Sequence, residues 1–189
     1  MLRLKCFDLI SRLASVVALA IQADAAPLEI NPRQTRIEVA VSCTIDSFVA
    51  RLEKFQTQVD CDPAVALPTK AEVTFDFADL KTGNPDRDAA MLAWLEYSGN
   101  RTASFQLTAW KQTGTTNLAL GRLTMHGVTQ EVQMPVTVRR DGAAWDISGG
   151  ATLDYRDFKL PKIRKALILT VNPNVKITFH LTGQLAVPK

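Results

Sequence analysis

Apolar and polar residues alternate through most of this chain with the period of two that a half-buried β-strand requires. The clearest runs are Val132, Met134, Val136 and Val138; Val175, Ile177, Phe179 and Leu181; and Val73, Phe75 and Phe77. Bounded by turn residues, the alternation predicts eight strands, over 36–45, 48–61, 70–79, 102–112, 115–125, 128–140, 144–156 and 174–187. Thr113-Gly114, His126-Gly127 and Asp141-Gly142 are hairpin-length connections, so nearly all of the sheet is expected to be antiparallel. Within 115–125 the phase changes: Leu118 and Leu120 share one parity, Leu123 and Met125 the other, which predicts an inserted residue with Gly121 as the bulge. One connection is long enough for a helix. After Gly83-Asn84-Pro85, the stretch 86–97 (DRDAAMLAWLEY) carries acidic residues in its first turn and sets Met91, Leu92 and Leu95 on one face.

Eight strands with no repeat and no interior linker predict an all-β domain, either a sandwich or an up-and-down barrel, with one short helix in a long connection. Several strands run beyond ten residues, as tilted barrel strands must, which favours the closed eight-stranded antiparallel barrel. Such a barrel is just wide enough to be filled by side chains or to hold one small ligand. The inward face is expected to carry Ile37, Val39, Val41, Phe55, Val73, Phe75, Phe77, Phe105, Leu107, Val132, Met134, Val136, Ile177, Phe179 and Leu181. Alternation alone does not separate a filled barrel from an open one, because both bury the same face.

The length of 189 residues and 47% hydrophobic content suit one domain with a proper core. The first 25 residues stand apart from it. Arg3, Lys5 and Arg12 precede a short apolar run, Leu13–Ile21, and Ala23-Asp24-Ala25 offers a small-x-small cleavage site, the order found in a Sec-type signal peptide. The apolar run is less than half of the roughly 20 residues that span a bilayer, so no permanent transmembrane anchor is expected. Cys6 lies before the apolar run, the wrong side for a lipoprotein cysteine. Cleavage would remove three positive and two negative charges from a chain of net charge +3, leaving a nearly neutral domain over 26–189. A nucleic-acid partner is not expected of it.

Loss of Cys6 leaves Cys43 and Cys61, an even pair in an oxidising compartment, equally consistent with a disulfide and with two buried free thiols. No hydrolase, zinc-hydrolase, redox or phosphate-loop motif occurs, and two histidines, His126 and His180, share no motif, so neither catalysis nor a metal site is expected. Arg87 in T-G-N-P-D-R-D could meet an anionic head group, although an arginine entering a helix more often ties a connection to the barrel rim. Lys162 and Arg164, in a cluster with Lys159 and Lys165, are the other head-group candidates, against a default of a solvated loop.

Three segments carry a resemblance. Thr82–Asp88 (TGNPDRD), Gly121–Val138 (GRLTMHGVTQEVQMPVTV) and Leu153–Phe158 (LDYRDF), in this order along the chain, resemble the YceI-like family of bacterial secreted lipid-binding proteins, over nearly the whole chain from about Ile30. The resemblance implies a lipocalin-like barrel with an elongated apolar pocket for a polyisoprenoid or other long-chain amphiphilic lipid, a periplasmic location and no cofactor beyond that ligand. The chain departs from the family pattern at Gln34-Thr35, where His-Ser often follows D-P-x, and at Cys43, where a second histidine is common. Those changes bear on head-group contacts, not on the fold. The reading that results is a secreted, non-enzymatic carrier or sequestering protein; the alternatives are a filled-barrel envelope or stress protein acting through protein contacts and, less favoured, a lipid-modifying enzyme. Oligomeric state is left open, a dimer included.

Overall fold

The computed structural model describes residues 25–44, 46–165 and 169–186. The strands are β1 (Ala26–Ile30), β2 (Arg36–Ser42), β3 (Ser47–Leu52), β4 (Gln56–Cys61), β5 (Pro68–Asp76), β6 (Leu80–Lys81), β7 (Thr102–Thr113), β8 (Thr116–Met125), β9 (Val128–Asp141), β10 (Ala144–Asp154), β11 (Arg164–Lys165), β12 (Leu169–Thr170) and β13 (Asn174–Leu185), with one helix, α1 (Pro85–Trp94). Strands β1, β4, β5, β7, β8, β9, β10 and β13 form a closed ring of eight, every neighbour antiparallel, closed by β1 against β13. The all-β barrel expected from alternation is therefore the fold.

Three wall strands are interrupted, which the alternation missed. β1 and β2 both pair with β13, at Gly183–Leu185 and Lys176–His180 respectively, and are separated by a turn at 31–35. The predicted strand 48–61 is β3 and β4, split at 53–55. Ala50 and Leu52 are buried on even positions and Val59 and Cys61 on odd ones, so the break restores the inward face after a one-residue change of phase. The predicted strand 70–79 ends at Asp76, whose carboxylate accepts from the Ala78 N–H at 2.8 Å and starts a 3-10 turn over Phe77–Asp79.

The inserted residue predicted at Gly121 lies elsewhere. β8 pairs with β9 in one unbroken register from Asn117↔Val136 to Met125↔Val128. The register shift is on β7, where Thr108 is extra between Leu107↔Gly121 and Ala109↔Leu120. Ala119, Gly121 and Leu123 are buried, whereas Leu118 and Leu120 are only half-buried on the outer face. The apparent phase change came from reading those two leucines as inward. The His126-Gly127 turn has both residues at positive φ, 49° and 68°, as a two-residue hairpin of matching twist requires.

Helix α1 begins where the sequence places it: Asn84 caps it, its side-chain oxygen accepting from the N–H groups of Asp86 and Arg87 at 3.0 and 3.1 Å, with Pro85 in the first turn. Asp88 ties the preceding loop to it, accepting from the Thr82 N–H at 2.9 Å and hydroxyl at 2.5 Å. Met91, Leu92, Trp94 and Leu95 then pack over one end of the barrel with Phe77, Tyr155, Phe158 and Leu160. The Trp94 indole N–H donates to the Pro161 carbonyl at 2.9 Å, and its ring meets Tyr155 edge-on at 5.0 Å. At the opposite end the 62–67 connection folds across Trp145. Arg140, stacked on the Trp145 ring at 4.9 Å, donates to the carbonyls of Val65 and Pro63 at 2.6 and 3.1 Å. A connection thus covers each end.

Candidate functional site

Between those covers the barrel holds an apolar cavity of about 130 Å³ that exposes no polar surface. Eleven of the side chains expected to face inward line it: Ile37, Val73, Phe75, Phe105, Leu107, Val132, Met134, Val136, Ile177, Phe179 and Leu181. Four do not. Val39, Val41, Phe55 and Phe77 lie with the helix-end cluster instead: Val39 and Val41 continue β2 past Ile37, Phe55 falls in the break at 53–55 and Phe77 in the turn at 77–79.

Sequence reasoning also missed part of the lining. Ile147, Ala151 and Leu153 alternate on β10 and were legible, and Ala119 and Leu123 follow once β8 is phased on its odd positions. Trp110 was hidden by the Thr108 bulge, which shifts β7 from odd to even after Leu107. Val59, Pro68 and Ala71 complete the wall at the 62–67 end.

Two glycines shape the cavity. A Cβ at Gly121 would run into the Phe105 ring and approach the Gln106 carbonyl oxygen at 2.8 Å; one at Gly149 would lie 2.9 Å from the Phe179 ring and 2.6 Å from the Pro135 carbonyl oxygen. Each glycine is the seat of an aromatic ring, so Phe105 and Phe179 lie flat against the wall and leave space between them. Gly121 was therefore a real signal, for ring packing and not for a bulge.

The head-group candidates do not gather at this cavity. The Arg87 guanidinium stacks on the Phe48 ring at 4.1 Å and stands 3.9 Å from the Asp46 carboxylate, which fixes α1 to the β2–β3 hairpin. Lys162 is exposed in the 159–163 loop, and the side chain of Arg164 lies outside the described residues. At the departures from the family pattern, Thr35 is buried and its hydroxyl accepts from the Thr182 N–H at 3.3 Å, while Gln34 accepts from Asn31 at 3.1 Å. These two residues brace the β1–β2 turn against β13.

Cys43 and Cys61 are both free thiols. Of the two readings the sequence left open, the bridge is the one the geometry rejects. Cys43 opens the β2–β3 hairpin, bonded to Asp46, whereas Cys61 ends β4 at the other end of the barrel. The run from Ser47 to Cys61 covers tens of ångströms at roughly 3.3 Å per residue, against less than about 7 Å between bridged Cα atoms. Burial pushes the Cys61 thiol up to about 12, with Asp60 adding and Arg140 opposing. Burial raises Cys43 as well, against the opposing charge of Arg87.

Outside the cavity, the His126 ring donates to the Phe158 carbonyl at 3.1 Å, and His180 pairs with Asp146 at 2.7 Å on the outer face of β10 and β13. Among the described residues no three of His, Cys, Asp or Glu gather as metal ligands, and no helix is long and apolar enough to cross a membrane. The site can desolvate an apolar group, each buried methylene contributing about 0.8 kcal/mol; it offers such a group no acid, base or nucleophile.

A closed antiparallel barrel around an apolar cavity defines a protein of lipocalin-like architecture. The family model for the YceI-like domain matches residues 28–183, and the chain belongs to that family. Solved structures agree on the fold. Burkholderia cenocepacia BcnA superposes with a TM-score of 0.71 at 23% identity, covering 82% of this chain and 100% of that one. A polyisoprenoid binding domain from Saccharophagus degradans, described as implicated in plant cell wall breakdown, gives 0.64 at 14% identity, covering 86% and 100%. The Campylobacter jejuni YceI protein gives 0.58 at 16%, covering 73% and 85%. A search of curated proteins returns no match.

Proposed function

We propose that this protein is a non-enzymatic carrier that holds the chain of a polyisoprenoid, or a similar long-chain amphiphilic lipid, inside its barrel. The observation that carries the reading is the cavity within the barrel, which exposes no polar surface. Apolar burial is the interaction such a lining offers, and it suits a ligand that is mostly hydrocarbon. The Saccharophagus degradans neighbour, described as polyisoprenoid binding, supports the same ligand class. Residues 1–25 act as an export leader removed near Ala25, delivering the barrel to the periplasm; these residues, up to 24, lie outside the described structure.

Mass spectrometry of organic extracts from the purified protein tests the reading, and a substitution locates the ligand. Phe179→Gln places an amide against the cavity, whereas Thr137→Gln alters an exposed position on β9. Phe179→Gln should lose most of the co-purifying lipid and Thr137→Gln should keep it, both variants first showing native circular dichroism and cooperative melting. Equal retention by the two, or a parent that carries and binds no lipid, would favour a filled barrel acting through protein contacts.

A further inference from the structure

The barrel wall forks. β9 and β10 pair from Asp141↔Ala144 as far as Val136↔Gly149 and no further, although β9 extends back to Val128 and β10 on to Asp154. Beyond the fork β9 stays paired with β8 down to Val128, and β10 stays paired with β13 out to Asp154. Two intact half-walls therefore part from each other. The residues at the crotch account for it: Pro135 has no N–H to give, and Gly149-Gly150 adds no side chain to hold the strands together.

The fork meets the cavity. From inside, Val132 and Met134 on one lip and Ala151 and Leu153 on the other line the apolar space. From outside, Gln133 and Pro135 face Gly150 and Thr152 across a depression of about 480 Å³. Ala151 borders both the cavity and the depression. A second stretch of unpaired wall lies between Pro68–Ala71 of β5 and the distal part of β7, but there the Trp110 indole N–H crosses to the Pro68 carbonyl at 2.8 Å and holds the strands.

We propose that the fork between β9 and β10 is a lateral portal through which the hydrocarbon chain of the ligand enters and leaves the barrel. The inference rests on the carrier reading and adds the route. A chain entering at either end must displace the α1 cover or the connection pinned by Arg140. At the fork it parts two strands that share no ladder hydrogen bonds; the ties between the two sides, Gln130 to the Asp157 carbonyl and His126 to the Phe158 carbonyl, lie past the end of β10 and not across the lips. A tail passing Ala151 and Met134 goes from a shallow outer depression straight into apolar lining.

The test closes the portal reversibly. Continued past Gly149↔Val136, the register would set Thr152 opposite Gln133, and both are exposed. Gln133→Cys with Thr152→Cys, in a Cys6→Ser, Cys43→Ser background, is joined by a reducible bis-methanethiosulfonate linker; Cys61 is fully buried and is left in place. Stopped-flow fluorescence then follows uptake and release of cis-parinaric acid. Linking should slow both at least tenfold with the equilibrium affinity little changed, and reductant should restore them. A matching link across the other unpaired stretch, Lys70→Cys with Ala109→Cys, should leave the rates near those of the parent. As a single-site check, Thr152→Trp adds bulk at the outer lip and should slow uptake in the same direction. Parental rates in both the linked Gln133–Thr152 protein and Thr152→Trp, or slowing only by the Lys70–Ala109 link, would overturn the portal while leaving the carrier reading intact. Failure of the unmodified parent to bind the probe would overturn the carrier reading, and the portal with it.

Discussion

Gly121→Ala puts one methyl group into the barrel at the seat of Phe105. The added Cβ overlaps the Cε2 and Cζ atoms of that ring and comes within 2.8 Å of the Gln106 carbonyl oxygen, closer than real Cβ atoms approach. The ring can swing into the cavity, but the main-chain oxygen can move only with β7. Overpacking in a well-packed interior costs about 1–3 kcal/mol, and a backbone atom among the neighbours puts this site at the upper end, about 3 kcal/mol. For a domain of this size that is a fall of about 6–12 °C in Tm. Thermal and urea unfolding followed by circular dichroism measures it, and a double-mutant cycle with Phe105→Ala assigns it. Without the ring only the carbonyl contact remains, so Gly121→Ala should then cost about 1 kcal/mol, a coupling of about 2 kcal/mol between the two sites. The reasoning is refuted if Gly121→Ala is silent, or if it costs the same with and without the Phe105 ring.

Two further outcomes follow from the geometry around the ends of the barrel. Thiol titration of protein lacking the first 25 residues, denatured without reductant, should find both Cys43 and Cys61, and in the native protein Cys61 should stay unreactive at neutral pH because burial pushes it up to about 12. Burial acts to raise the Asp88 carboxyl, yet the two hydrogen bonds from Thr82 and the nearby Lys81 and Arg87 charges outweigh it and hold it below the usual carboxylate range. A depressed folded-state value stabilises above the unfolded value and is lost as pH falls through the folded one. The stability gap between the parent and Asp88→Asn, about 1 kcal/mol at this partly solvated site, should therefore be widest near neutrality and close in acid; a gap constant from pH 7 to pH 2 would refute the assignment.

The barrel was legible because alternation reports one-sided burial directly, and β8–β10 and β13 keep their phase for ten residues or more. What was missed lies where phase changes without changing residue type. At 53–55 the inward face passes from Leu52 to Val59 with apolar Phe55 between them, so one long strand and two short ones look alike. Thr108 is an unremarkable β-former, and only the pairing of its neighbours shows it to be the extra residue. Ten of the eleven lining residues found from parity lie on the ring strands β5, β7, β9 and β13, with Ile37 at the start of β2, while Val39 and Val41 lie farther along β2, and Phe55 and Phe77 lie in the bends at 53–55 and 77–79. The fork left a trace in the sequence, Pro135 in the middle of a strand and Gly149-Gly150 in its neighbour, but its position depends on which strands adjoin.

Closure of the ring joins the first strand of the fold to the last: Leu28–Ile30 lies against Gly183–Leu185. Every other junction in the ring can form as its two strands become available, but this one waits for nearly the whole domain to be present. Until then the sheet keeps two raw edges, on β1 and on the Gly183–Leu185 end of β13, each able to template against another chain. Long-range contacts of this kind slow folding, because the loop entropy is spent before the contact rewards it. A chain shortened by the five residues of β1 would keep β4 and the Gly183–Leu185 end of β13 uncovered, and should self-associate along those edges.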